Sequence, residues 1–154
     1  MRVYLIQHGK AKSKEEDPAR GLTEEGREET GQMAEALGKV NPEVYVVWHS
    51  GKLRARQTAE ILAEGLGIPQ RIMEHSNLSP MDDVKIVAGE LKGLGHDIAI
   101  AGHLPFLSRL AGLLLTGSVA AEPIRFRNSG VVCIERNEDG WQLQWVVTPD
   151  FFRV

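Results

Sequence analysis

A single cysteine, Cys133, occurs in the 154 residues. No internal disulfide can form, and no second thiol exists to complete a CxxC pair or a thiolate zinc site. A reduced compartment is the natural setting. An excess of one charge is missing too: 18 Lys and Arg stand against 21 Asp and Glu, a net charge of −3 scattered along the chain. That excludes the basic stripe on which nucleic-acid binding depends. Long hydrophobic runs are also lacking. The apolar stretch nearest Met1, Val3-Tyr4-Leu5-Ile6, is too short for a signal-peptide core and far too short to span a bilayer. Linkers, repeats and low-complexity segments are absent. The expectation is one soluble cytoplasmic domain over residues 1–154, able to bury about two-thirds of its unfolded surface unaided. No membrane partner is called for.

What is present alternates. Three short runs, Val3 to Ile6, Val44 to Trp48 and Ile98 to Ala101, carry the β-branched and aromatic residues of strands. Each is continuously apolar, as in a parallel sheet covered on both faces. Helical patterns lie between them. Thr23 is placed to cap the first, with Glu24 and Glu25 in its opening turn, where the helix dipole favours negative charge. Met33, Ala34, Leu37 and Val40 form its buried stripe, and Gly38 with Pro42 marks its end. Further helices are expected over about Leu53 to Leu66, Met81 to Leu94 and Pro105 to Leu115. Val131 to Glu135 and Trp141 to Val147, around Asn137-Glu138-Asp139-Gly140, read as a closing hairpin. The fold class is therefore α/β: three layers, a mostly parallel sheet with helices on both faces, and a C-terminal antiparallel hairpin. Lys10 to Leu22 reads as a charged surface loop. Pro69 to Asp83 is the one connection long enough to act as a lid.

Ligands of open α/β sheets bind beyond the carboxyl ends of the strands, and each expected parallel strand ends at or just before a histidine: His8, His49 or His103. One such histidine is more often structural than functional; three at equivalent positions are a signal. Gly9 beside His8 allows close backbone approach. Gly102 and Pro105 place His103 on a loop feeding a helix N-terminus, a favourable place for an anion. Ser50 to Arg54 leads from a strand into a helix, and Arg54 has the side chain best shaped to grip phosphate oxygens.

These residues carry a resemblance. Gln7-His8-Gly9 resembles the Arg-His-Gly signature of the histidine phosphatase superfamily, the phosphoglycerate mutase-like enzymes. Asp17, Arg20 and Leu22-Thr23-Glu24-Glu25-Gly26 are similar to the stretch opening the first helix in the branch of short SixA-type phosphohistidine phosphatases. Ser50 and Leu53-Arg54-Ala55-Arg56-Gln57-Thr58-Ala59 resemble Ser-Pro-x-x-Arg-Ala-x-Gln-Thr-Ala. Gly102-His103-Leu104-Pro105 matches the second histidine motif, and Ser129-Gly130-Val131-Val132 resembles the final strands. The matches keep their order along nearly the whole chain.

The resemblance implies a phosphatase in which His8 attacks phosphorus and is transiently phosphorylated. Arg54 and His103 hold the equatorial oxygens, with Gln7 and Gly9 lining the phosphate site. It implies neither metal nor cofactor. The short chain lacks the cap insertions of mutase-like relatives, so a phosphohistidine on a partner protein suits the open site. A small phosphorylated molecule is the alternative substrate. Asp82 and Asp83 fall where mutase-like relatives place a general acid, although acids before a helix are commonly caps.

One departure matters. Gln7 replaces the family arginine, and an amide can neither carry charge nor fork onto two oxygens. Losing one such donor costs about 3 kcal/mol of transition-state stabilisation. Lys10, Lys12 or Arg20 could restore positive field. A catalytically weak, phosphate-recognising binding module therefore stays open beside the active enzyme. A metal site of His8, His49 and His103 stays open if those three converge.

Overall fold

The computed structural model describes residues 1–153. Six strands form one mixed sheet in the order β3-β2-β4-β1-β5-β6. These are β1 (Arg2–Gln7), β2 (Val44–His49), β3 (Ile72–Glu74), β4 (Asp97–Gly102), β5 (Val131–Asn137) and β6 (Gly140–Val147). The first four in that order run parallel, and β5 and β6 add an antiparallel hairpin beside β1. The expected α/β class with its closing hairpin is what the chain adopts.

Alternation along β1 assigns the faces. Val3 and Leu5 join Ile98, Ile100 and Ile134 under α3 (Val84–Gly93) and α4 (Phe106–Thr116). Tyr4 and Ile6 point the other way, to Met33 and Leu37 of α1 (Glu24–Lys39) and Ala59 and Leu62 of α2 (Leu53–Gly65). With both faces covered, neither can be polar, which is why these strands read as unbroken apolar runs.

Thr23 caps α1 as expected, its hydroxyl accepting the Gly26 N–H at 2.9 Å. Gly38 does not stop the helix, which continues to Lys39. A Cβ on Gly38 would lie 2.5 Å from the Gly65 carbonyl oxygen, and one on Gly65 would lie 2.6 Å from the Ala34 Cβ. Both glycines are contact points that let α1 and α2 approach closely.

Two expectations change. The third helix starts at Val84 rather than near Met81, because Asp83 caps it by accepting the Lys85 N–H at 2.9 Å. The Pro69 to Asp83 connection is no free lid: Ile72–Glu74 pairs with β2, and Leu78 is 1% exposed within the core. Met73 and Glu74 are exposed, so this edge strand shows neither an apolar run nor an alternation. Its pairing with β2 creates it.

Candidate active site

The parallel strands deliver their carboxyl ends to one rim. His8 follows β1, His49 ends β2, and His103 follows β4, which lies between them in the sheet. β3 adds a fourth, His75, whose N–H bonds the His49 carbonyl at 2.9 Å. Only the neighbours His8 and His103 face one another, with ring centroids 5.2 Å apart.

His8 is held by its own chain. The Gly9 carbonyl oxygen lies 2.7 Å from Nδ1, so in the neutral ring Nδ1 carries the proton and Nε2 keeps its lone pair. Burial lowers the proton affinity of the ring, against a smaller opposing effect of the Gly9 hydrogen bond; the Arg54 and Arg20 charges lower it further. The result is a neutral imidazole with one free, nucleophilic nitrogen.

Gly9 serves this geometry through its backbone. Its N–H donates to Thr58 Oγ1 at 3.0 Å and its carbonyl takes the His8 proton. Both backbone groups are engaged within the chain, and the carbonyl orients the His8 ring. Its lack of a side chain reflects packing on α1, since a Cβ would lie 2.7 Å from Thr30 Oγ1 and 3.0 Å from the Gly26 carbonyl oxygen.

His103 is 2% exposed. Its Nε2 lies 2.6 Å from Ser50 Oγ, while its buried Nδ1 has no partner. A Ser50 hydroxyl donating to Nε2 fixes the tautomer with the proton on Nδ1. Burial first, then the nearby His8, Arg54, Lys52 and Arg20, push its pKa down to about 3. Both site histidines are therefore neutral near pH 7.

Arg54, in the first turn of α2, is half-buried, with its buried Nε unpaired. Its proton affinity is lowered by burial and by Arg20, yet an arginine stays charged in practice. Arg20 reaches the same region from the Lys10 to Leu22 loop: its charge bears on His8, His103 and Arg54 alike. Lys10 is committed elsewhere, bridging Glu25 at 2.6 Å and Glu29 at 3.9 Å. Lys12 donates its backbone N–H to the Gly21 carbonyl at 2.9 Å; no contact ties its ammonium to the histidines among the described residues. Of the three cations weighed as substitutes for a charge at Gln7, Arg20 is the one whose loop packs on the start of α2, where a Cβ on the next residue, Gly21, would lie 3.4 Å from Leu53 Cδ2, and whose charge bears on both site histidines.

Gln7 continues the Val3-Leu5 alternation and so belongs to the α3/α4 side. Its Oε1 is buried without a partner. Among the described residues, five buried side-chain polar atoms lack partners, and three of them belong to Gln7, Arg54 and His103. Native interiors rarely leave such groups unmatched. Arg54 Nε and, in the tautomer above, His103 Nδ1 are donors, the type of group that an oxyanion engages.

The remaining candidates stand aside. His49 is buried, its Nδ1 accepting the Gly51 N–H at 3.1 Å. Among the described residues no three His, Cys, Asp or Glu side chains are grouped as metal ligands, so the His8, His49 and His103 convergence does not occur. Asp82 accepts the Ser79 N–H at 2.9 Å, and Asp83 caps α3. Ser50, Gln57 and Thr58, motif residues with no role assigned from the sequence, also serve the site. Ser50 sets His103, Thr58 holds Gly9, and Gln57 accepts the Leu22 N–H at 2.8 Å. Their signal was the motif itself, which ties the start of α2 and the residues before it to two connections, β1–α1 and β4–α4.

The chain belongs to the histidine phosphatase superfamily (branch 1), whose sequence model matches residues 3–79. The phosphohistidine phosphatase SixA of Escherichia coli (strain K12) is 29% identical over 155 residues, covering 97% of this chain and 94% of that protein. A solved structure of the protein histidine phosphatase SixA complexed with tungstate superposes with a TM-score of 0.87. Its identity is 27%, over 99% of this chain and all of that one, a coverage of 100%. The fold alone is shared with the mycobacterial glucosyl-3-phosphoglycerate phosphatase: TM-score 0.72 and 17% identity over 93% and 96% of the two chains.

Proposed function

We propose that this chain hydrolyses phosphohistidine on a partner protein through a phosphoryl group carried transiently on His8. The observation that carries the reading is the His8 tautomer. With Nδ1 bound to the Gly9 carbonyl, Nε2 attacks phosphorus, forming one P–N bond as the bond to the leaving group breaks. Arg54, Arg20 and the Nδ1–H of His103 hold the three equatorial oxygens, with a Gln7 amide rotated to present its NH2 beside them. Water then attacks the phosphorus and returns His8 to its starting state.

The leaving group selects the substrate class. Both site histidines are neutral, and the Asp82 and Asp83 carboxylates are bound to backbone N–H groups. No side chain among them is placed to protonate a departing alkoxide. A phosphohistidine whose other ring nitrogen is protonated leaves as neutral imidazole and needs no such acid. The similar SixA structure is complexed with tungstate, a tetrahedral oxyanion, which supports oxyanion binding by a protein of this fold. The setting we infer is cytoplasmic signal transduction; no helix among the described residues is long and apolar enough to cross a membrane.

The test is phosphate release from a phosphohistidine peptide without added metal, with acid-labile phosphate mapped to His8 after a brief quench. Release unaffected by His8→Ala would end the proposal. One observation favours a second reading, a phosphate-recognising module with little turnover: Gln7 supplies no charge where the family has arginine. Phosphate binding without phosphate release would select it.

A further inference from the structure

The Lys10 to Leu22 loop concentrates its hydrogen bonds around one residue. Arg20 has φ +53°, a left-handed conformation that side chains other than glycine rarely adopt. Its N–H donates to the Asp17 carbonyl at 2.9 Å. The Asp17 carboxylate accepts the N–H on either side, from Ala19 through Oδ1 at 3.0 Å and from Gly21 through Oδ2 at 3.0 Å. Arg20 Nε donates to the Lys12 carbonyl at 3.1 Å, and the Lys12 N–H returns to the Gly21 carbonyl at 2.9 Å. Beyond the turn, Leu22 is fastened by Gln57 of α2, the helix that carries Arg54.

We infer that Asp17 is a positioning residue: its carboxylate clamps the two peptide groups flanking Arg20 and so aims that guanidinium into the anion site beside His8 and Arg54. The inference rests on the proposed role of Arg20 in holding phosphoryl oxygens. Arg20 shares its positive φ with Asn41, Asn77 and Ser129, two of them asparagines, which tolerate it more readily than arginine. Here that conformation lies between the two N–H groups taken by one carboxylate. The bond at Nε fixes the guanidinium plane and leaves both Nη groups for an anion. With no charge at Gln7, this clamp governs one of the two guanidinium groups in the site. Asp17 touches no substrate. It acts by removing the freedom Arg20 would otherwise lose on binding.

Dissociation constants for inorganic phosphate, measured by calorimetry, test this without requiring turnover. Asp17→Ala should weaken phosphate by about tenfold, the scale of losing a charged hydrogen-bond anchor. Asp17→Asn, which keeps one acceptor oxygen, should recover part of that loss. Arg20→Ala should weaken binding as much or more, and adding Asp17→Ala to it should change little further. The melting temperature of Asp17→Ala should stay close to that of the parent. Independent, additive losses at Asp17 and Arg20, or an Asp17→Ala protein that melts earlier yet binds phosphate normally, would overturn the positioning role. Coupled losses in a protein that binds phosphate but releases none from phosphohistidine would leave it standing and remove the phosphatase reading. A parent protein with no affinity for phosphate would overturn both.

Discussion

Ser50 Oγ lies 2.6 Å from His103 Nε2, on a ring that is 2% exposed and otherwise unpaired at Nδ1. The hydroxyl can donate or accept, but an anion at Nδ1 needs a proton there, so binding selects the state in which Ser50 donates. A serine at the end of β2 thereby decides what a histidine after β4 offers its ligand, across two adjacent strands. Ser50→Ala should lower turnover on phosphohistidine by about tenfold, the worth of one orienting hydrogen bond. Ser50→Thr, which retains the hydroxyl, should restore most of it. A fully active alanine variant would show that the tautomer is set otherwise.

The depressed proton affinity of His8 fixes the sign of the acid limb. The neutral ring is the nucleophile, and burial keeps it neutral to lower pH than an ordinary histidine. The acid limb of kcat/KM should therefore fall below the usual imidazole value of about 6.5. A pH profile of aryl phosphate hydrolysis checks this. A limb well above that value would mean that His8 is charged in the free protein.

Gln7→Arg should strengthen catalysis. A guanidinium in place of the amide restores a charged, forked donor at the strand end. It should raise kcat/KM by about tenfold to a hundredfold, a substantial part of what one preorganised donor supplies in other sites. Steady-state kinetics on one substrate settle the point, and an unchanged rate would show that Arg20 already supplies the field.

Gly9→Ala tests the packing beneath the nucleophile. The added methyl meets Thr30 Oγ1 at 2.7 Å and the Gly26 backbone oxygen at 3.0 Å. Rotating Thr30 relieves the first contact only, and doing so disturbs its 2.8 Å hydrogen bond to the buried Ser129 hydroxyl. Urea unfolding should show a loss of about 1–3 kcal/mol, the usual scale of overpacking. Turnover should fall with it, because Gly9 also holds the His8 ring.

Much of this was legible in the sequence because the sheet is covered on both faces. Burial on both sides forces unbroken apolar runs at β1, β2 and β4, and chain order then puts His8 and His103 at one rim. The capping residue Thr23 was readable for the same local reason. β3 was not: Met73 and Glu74 face solvent, and only pairing with β2 makes them a strand. The packing at Gly9 was not legible either, because it comes from Thr30 and Gly26 on α1, which no local pattern announces. Arg20 could be named as a candidate but not chosen over Lys10. That choice depends on Glu25 and Glu29 capturing the lysine, and on Asp17 turning the arginine.

The buried, neutral state of His103 has a cost in acid. Its pKa falls from the ordinary value to about 3 on folding. Above about pH 6.5 the ring is neutral in both states and folding involves no proton. As the pH drops below that value the unfolded chain takes up a proton that the folded chain refuses, so stability declines until about pH 3, where the folded ring is protonated as well. His8, shifted in the same direction, adds to the slope below the ordinary imidazole value. Chemical unfolding at pH 7 and at pH 5 should therefore show lower stability at pH 5, and His103→Gln should reduce the difference by removing one of the groups responsible. If the parent protein and His103→Gln lose equal stability between those two values, the imidazole is not being held neutral in the fold, and the donor at Nδ1 on which the anion site relies has to be reconsidered.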